Sequence, residues 1–330
     1  MIRKEFRIGK MDIKNRLIMP PMATYKAYEN GAPSEETIGY YQRMTEGGYI
    51  GLVIVEHTCV CEQGKAGKGQ LGIYEEGTLD SFRHLTAAVH ENGSKIALQL
   101  SHAGSYTSGE ITGCGTIAAS AIVNHPTFED VPKEMTKDDI AQVRDCFAVA
   151  ALRAKECGFD AVEIHSAHSY LLNQFYSPLT NKRMDEYGSQ SLENRLRFHR
   201  EIIASIREKT GADYPLLLRL GGCDYQEGGS TIADAAEAGK LLQEWGVDAL
   251  DISGGMCRFI RKDRTEPGYF RDMSIAVKKK VNIPVILTGG VKSVRDAEEL
   301  LQLGAADCIG IGRALAADRE KIRAEMEESQ

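Results

Sequence analysis

The 330-residue sequence contains no C-x-x-C pair, no long basic block and no apolar run approaching the ~20 residues of a membrane span. Its eight cysteines are scattered, and only Cys59 and Cys61 lie close together. A lone C-x-C is a weak metal signal, so buried free thiols are the expected state and no metal site is assigned. A formal charge of −7 without a basic cluster argues against nucleic acid or an anionic membrane as partner. The opening stretch MIRKEFRIGKMDIKNRLIMP is charged and has no apolar h-region, so a cytoplasmic location is expected.

What the chain does have is a repeated strand-then-helix rhythm. Apolar runs fall at 16–20, 52–56, 95–100, 161–165, 216–220, 249–253, 284–288 and 308–312, eight in all. They are nearly continuous in apolar character, as parallel strands covered on both faces should be. Helical periodicity between them is clearest at 78–92, 138–157, 191–210, 231–245 and 293–303, and several of these segments stop at glycine. Thr136 before KDDI and Ser293 before VRDAEE look like helix caps, with acids in the first turn. Eight such units predict a (β/α)8 barrel formed by one domain over residues 1–330, with 101–136 as a capping insertion after strand three. A doubly wound sheet would want a Gly-rich phosphate loop after the first strand, and PMATY stands there instead.

In such a barrel the chemistry sits where strands end. TGGVKS after strand seven and GIGR after strand eight place glycines and Arg313 beside helix starts, where backbone N–H groups can cradle a phosphate. The same glycines could serve tight turns alone. Gln99 and Arg219 end apolar strands and should point into the mouth, where a buried guanidinium needs an anion or several acceptors. A flavin ring would supply an amide-like edge for Gln99 and, at Arg219, an edge that turns anionic on reduction. An ion pair of Arg219 with Glu56 or Glu163 is the competing reading. His165 and His168 could bind a metal if His57 joined them, or act as paired donors to one carbonyl oxygen as it becomes an enolate. Tyr170, with an ordinary pKa of ~10, would keep its proton at neutral pH and could donate it. After strand six, RFIRKDRTEPGY gathers Arg258, Arg261, Lys262 and Arg264. A solvated surface is the first reading of such a run, and guidance of anions into the mouth is the second.

The segments NRLIMPPM, GYYQRMTEGGYIGLVIVE, LQLSHAG, EIHSAHSYLLNQFYSPLTNKRMDEYG, ENRLRF, TGGV and GIGRALAAD resemble the Old Yellow Enzyme family of FMN-dependent ene-reductases over essentially the whole chain. The H-x-x-H-x-Y and N-x-R-x-D-x-Y-G pieces are the most specific. The resemblance implies FMN contacts at Pro20, Pro21, Met22, Ala23, His57, Gln99, Arg219, Gly290, Gly312 and Arg313. It implies carbonyl binding by His165 and His168, a proton donor at Tyr170, and a substrate-side tyrosine at Tyr25. The implied reductant is NADH or NADPH and the implied substrate an α,β-unsaturated carbonyl compound; a homo-oligomer is compatible with the resemblance. Residues 181–195 would form an ordered loop that builds the mouth. Ala23 stands where some relatives carry a redox-tuning Cys or Thr, and His57 where a small residue is common. The chain resembles the barrel module alone, without the iron–sulfur cysteines and second nucleotide-binding domain of dienoyl-CoA reductase-like relatives. A flavin-dependent demethylase or dehydrogenase is the alternative activity. A non-flavin phosphate-binding lyase would want a Schiff-base lysine at a strand end, and none is there.

Overall fold

The computed structural model describes residues 1–328. Twelve strands run β1 Phe6–Ile8, β2 Met11–Ile13, β3 Leu17–Met19, β4 Leu52–Cys59, β5 Lys95–Ser101, β6 Ile117–Ala118, β7 Lys133–Glu134, β8 Ala161–Ser166, β9 Leu216–Leu220, β10 Ala249–Ile252, β11 Val285–Thr288 and β12 Cys308–Gly310. The α-helices are α1 Glu35–Thr45, α2 Leu79–Glu91, α3 Gly109–Thr112, α4 Lys137–Glu156, α5 Leu171–Tyr176, α6 Leu192–Thr210, α7 Ile232–Glu244, α8 Arg271–Lys278, α9 Val294–Gln302, α10 Arg313–Ala317 and α11 Arg319–Glu328. Eight strands close in the order β3-β4-β5-β8-β9-β10-β11-β12 and back to β3. All eight apolar runs of the sequence therefore lie in the barrel, with every adjacent pair parallel. Thr136 accepts from the Asp139 N–H in a reciprocal capping box, and Ser293 accepts from Asp296, so both predicted caps work as read.

One feature of the barrel's lower end is not in the apolar runs. β1 and β2 form an antiparallel hairpin through a two-residue turn in which Gly9 has φ 54°. Its Ile8, Met11 and Ile13 pack with Ile18, Leu52, Ala97, Ala161, Leu217, Ala249, Ile286 and Cys308, most of them at the starts of barrel strands. The hairpin is an apolar plug, and polar chemistry is thereby confined to the other end.

At that end the 101–136 segment carries α3 and the short β6–β7 pair, and it leans on the strand-four connection. Arg183 donates to the Ala119 and Met135 carbonyls while forming a bidentate pair with Asp185. Asn181 donates to the Phe175 and Tyr187 carbonyls. Asn181 and Arg183 in the polar run after α5 are thus tied to carbonyls of the surrounding segments. No helix among the described residues is long and apolar enough to cross a membrane.

Candidate active site

Parallel register builds the site. It pairs His165 with Arg219 and Arg219 with Asp251 across β8, β9 and β10, and Gln99 with Glu163 across β5 and β8. Side chains two apart on a strand share a face, so Glu163 and His165 both point inward. Gln99 donates to Glu163 Oε1 at 2.8 Å, and Thr288 donates to Asp251 Oδ1 at 3.1 Å. Arg219 is only 4 % exposed, and its Nε lies 3.2 Å from Asp251 Oδ2 without hydrogen-bond alignment.

This changes the partner in the competing ion-pair reading. Asp251, not Glu56 or Glu163, is the carboxylate against Arg219. Glu56 is spent on the loop after β3, accepting from the Thr24 N–H and hydroxyl at 2.7 Å each and from Tyr41. Glu163 lies in the same buried cluster, where burial and then the nearby Asp251 carboxylate push its pKa up to about 8. Asp251 is raised by its own burial too. Two carboxyls beside one guanidinium cannot cheaply both ionise in a dry interior, so Glu163 holds its proton at neutral pH.

His165, His168 and Tyr170 come together at the end of β8. The His165 ring stands 5.0 Å from His168 and 4.9 Å from Tyr170, centroid to centroid. The turn that does this is left-handed at two non-glycine residues, His168 (φ 60°) and Ser169 (φ 69°). Such geometry costs ~1–3 kcal/mol per residue and persists only where neighbours enforce it. Two buried amides of α5 do so here. Asn173 accepts from the Ser169 N–H, and Gln174 donates to the Ser169 and Ala103 carbonyls while accepting from the Ser105 N–H.

Burial, then the Arg219 charge, holds both imidazoles well below the usual histidine range, so both are neutral. His168 Nε2 is engaged at 2.7 Å by Ser253 Oγ, leaving Nδ1 for a ligand, whereas His165 Nδ1 is buried without a hydrogen-bond partner among the described residues. Burial drives Tyr170 far above the ordinary phenol range, so it is a fully protonated donor.

His57 sits at a register shift between Val55 and Thr58, a bulge that re-aims its side chain. Its ring lies 5.4 Å from Tyr170 and 5.9 Å from the half-exposed Tyr25. Gln70, whose Oε1 accepts from the Ala66 N–H, presents its amide nitrogen to His57 Nδ1 at 2.5 Å. The amide donates, so His57 carries its proton on Nε2; burial lowers its pKa to about 4. Among the described residues no group of three or more His, Cys, Asp or Glu could hold a metal ion.

The remaining expected contacts converge on the seam between the last and first strands. A Cβ on Gly312 would lie 3.2 Å from Pro20 and 3.3 Å from Met22 Sδ, which places the β12 turn against the Pro20–Ala23 loop. Gly290, at φ 70°, would carry a Cβ 2.6 Å from the Tyr269 ring. Arg313 at the start of α10 donates to the Tyr269 hydroxyl at 3.3 Å. Tyr269 is therefore part of this seat, although its surroundings in sequence gave no sign of it. Asp251 did carry a sign, since a carboxylate inside ALDIS is as anomalous as Arg219 inside LLLRL.

These residues fit FMN. The glycine turns leave room for backbone to approach a phosphate, with Arg313 at hand. The buried, unaligned polar atoms of Arg219, Asp251 and Glu163 lie on the same inner face as Gln99 and offer partners to a polar ring edge.

The sequence matches the model of the NADH:flavin oxidoreductase / NADH oxidase family over residues 3–327. It is 40 % identical to an NADH oxidase of Thermoanaerobacter brockii over 96 % of this chain but only 49 % of that protein. It is 41 % identical to an NADPH dehydrogenase of a Geobacillus species, over 96 % of this chain and 90 % of the relative. The fold superposes on an Old Yellow Enzyme homologue from Zymomonas mobilis with a TM-score of 0.87 at 26 % identity, over 100 % of this chain and 93 % of that one. With a matching model across the chain, a matching barrel and a mouth that suits FMN, the chain belongs to the NADH:flavin oxidoreductase / NADH oxidase family, the FMN- and NAD(P)H-dependent oxidoreductases related to Old Yellow Enzyme.

Proposed function

We propose that this protein reduces the activated C=C bond of α,β-unsaturated carbonyl compounds. The observation that carries the reading is the left-handed turn that sets two neutral imidazoles and an undissociated phenol around one small volume. Bound FMN supplies hydride chemistry, fed by NADH or NADPH, the reductants named for the relatives. Gly290, Gly312 and Arg313 would hold its phosphate end, Gln99 and Arg219 its polar ring edge, and the Pro20–Ala23 loop beside Gly312 would contact it as well.

The chain's own residues then divide the work. His165 and His168 give N–H donors to the substrate's carbonyl oxygen. As a hydride adds to the β-carbon, the C=C electron pair moves toward that oxygen, and the two donors stabilise the growing charge. Both rings are neutral, so they polarise the oxygen without surrendering a proton to solvent. Tyr170 gives its proton to the α-carbon and regains one from water. His57 lies against Tyr170, and Tyr25 lies against His57. Arg219, positioned against Asp251, favours negative charge beside it, and a protonated Glu163 avoids cancelling that field.

We place this chemistry in one barrel domain whose 101–136 segment roofs the mouth. We assign the protein to a reducing compartment such as the cytoplasm, a reading supported by its eight unpaired cysteines. Anaerobic incubation with NADPH or NADH and 2-cyclohexenone tests the activity. Stoichiometric formation of cyclohexanone is expected; nicotinamide oxidation that proceeds only with oxygen, leaving the enone intact, would overturn the reading.

A further inference from the structure

The basic run after β10 is not one feature but two. Arg261 is buried against the Asp263 and Asp272 carboxylates with its guanidinium 3.9 Å from the Tyr225 ring, and Arg264 is paired with Glu266. These are fastenings. Arg258 differs: its guanidinium makes no hydrogen bond or ion pair among the described residues, and lies 4.8 Å from the Tyr106 ring and 5.2 Å from that of Phe259.

The backbone presents Arg258 deliberately. Its φ is 62°, and its N–H donates to the Gly255 carbonyl at 2.9 Å. A side chain on Gly254 would strike the Arg258 carbonyl oxygen at 1.9 Å, so that position must be glycine. Met256 donates to Asp224, and Gly255 to the Cys223 carbonyl, anchoring the turn to the chain after β9. The platform touches the reaction centre on both sides. Tyr106 lies 5.7 Å from Tyr170, and Phe259 lies 5.9 Å from His168, ring to ring. His125 and Phe128 extend the same aromatic wall, with centroid separations of 4.5 Å from Tyr106 to His125 and 4.1 Å from His125 to Phe128. Burial raises the phenol pKa values of Tyr25, Tyr106 and Tyr170, and the nearby guanidinium charge opposes that rise in part; for His168 and His125 it adds to the burial that disfavours protonation.

We propose that Arg258 is a specificity residue that selects planar enones carrying a second, anionic oxygen group, a carboxylate. The flat walls of Tyr106 and Phe259 suit a conjugated substrate, and stacking leaves the guanidinium edge, with its paired donors, facing outward to a carboxylate. The inference rests on the enone-reductase reading above and adds the substrate class to it.

The test compares a cyclic enone bearing a ring carboxylate with its methyl ester, in the parent, Arg258→Ala and Arg258→Lys. For each, kcat/KM is measured anaerobically with NADPH, and Kd from perturbation of the bound flavin's absorption. The acid-to-ester preference in both quantities should fall by roughly tenfold or more in Arg258→Ala, as loss of a charge-assisted hydrogen bond implies. It should recover partly in Arg258→Lys and shrink in the parent at 1 M salt, where the Debye length is ~3 Å. An unchanged preference overturns the proposal. So does slower flavin bleaching by NADPH with the preference intact, which would assign Arg258 to the nicotinamide phosphates. If neither acid nor ester is reduced although NADPH bleaches the flavin, the enone reading itself has failed; if both are reduced equally well, only the selectivity has.

Discussion

Tyr170 and Glu163 show how environment assigns roles to ordinary side chains. Tyr170 keeps its proton because burial makes phenolate costly, and three rings, His57, Tyr106 and His165, hold it in place. Tyr170→Phe should leave flavin bleaching by NADPH nearly intact and slow enone consumption by ~10²-fold, the usual size of general-acid catalysis; stopped-flow measurement of each half-reaction separates the two. Glu163 is predicted to leave a signature in stability. Its folded pKa, about 8, lies above the ordinary 4.5, so its contribution is fully present below ~4.5 and is lost as pH rises through ~8. Glu163→Gln keeps an acceptor for Gln99 and cannot ionise. Urea melts from pH 5 to 9 should show the parent losing stability relative to this variant as pH rises; a constant difference would mean that Glu163 is ionised throughout. At this scale the sequence was legible where chemistry breaks a pattern. Paired histidines before Tyr170 and an arginine in an apolar strand announce themselves. Arg219's true partner was missed because only register, set by strand pairing, says that Asp251 is its neighbour.

Among the elements, the turns after the strands matter most. Gly290 works because φ 70° is open to it and because Tyr269 leaves no space for a Cβ. Gly290→Ala should therefore displace Tyr269 and Arg313 together. Its expected outcome is a purified protein with reduced flavin content and a Kd for FMN raised at least tenfold, read by fluorescence of released flavin. Tight retention would show that the seat lies elsewhere. The five clearest helices ended within about one residue of their expected limits, since caps and glycine stops are local signals. The β1–β2 hairpin escaped because three-residue strands are too short to display a period. The bulge at His57 escaped too, because a register shift depends on the partner strand β5.

For the whole molecule, the apolar hairpin plug and the polar mouth divide stability from chemistry. FMN binding should couple the two, since a ligand that binds only the folded state stabilises it by RT ln(1 + [L]/Kd), ~4 kcal/mol at a thousandfold excess over Kd. Flavin-stripped protein should melt at lower temperature than the reconstituted form, with the gap growing as FMN is added; equal melting would argue against a site built from so many strand ends. The barrel itself was legible because eight apolar runs and their helices repeat along the chain, whereas the contacts closing the mouth join residues far apart in sequence. In the proposed reaction, hydride reaches the β-carbon of an enone and a proton, through Tyr170, its α-carbon. This route is tested most directly by anaerobic turnover of 2-cyclohexenone with nicotinamide deuterated at the transferred position, and separately in D2O with unlabelled reductant, with the product analysed by NMR. Deuterium is expected at the β-carbon in the first case and at the α-carbon in the second, with the α-label forming far more slowly in Tyr170→Phe. Label at neither carbon, or no saturated ketone at all, would contradict it.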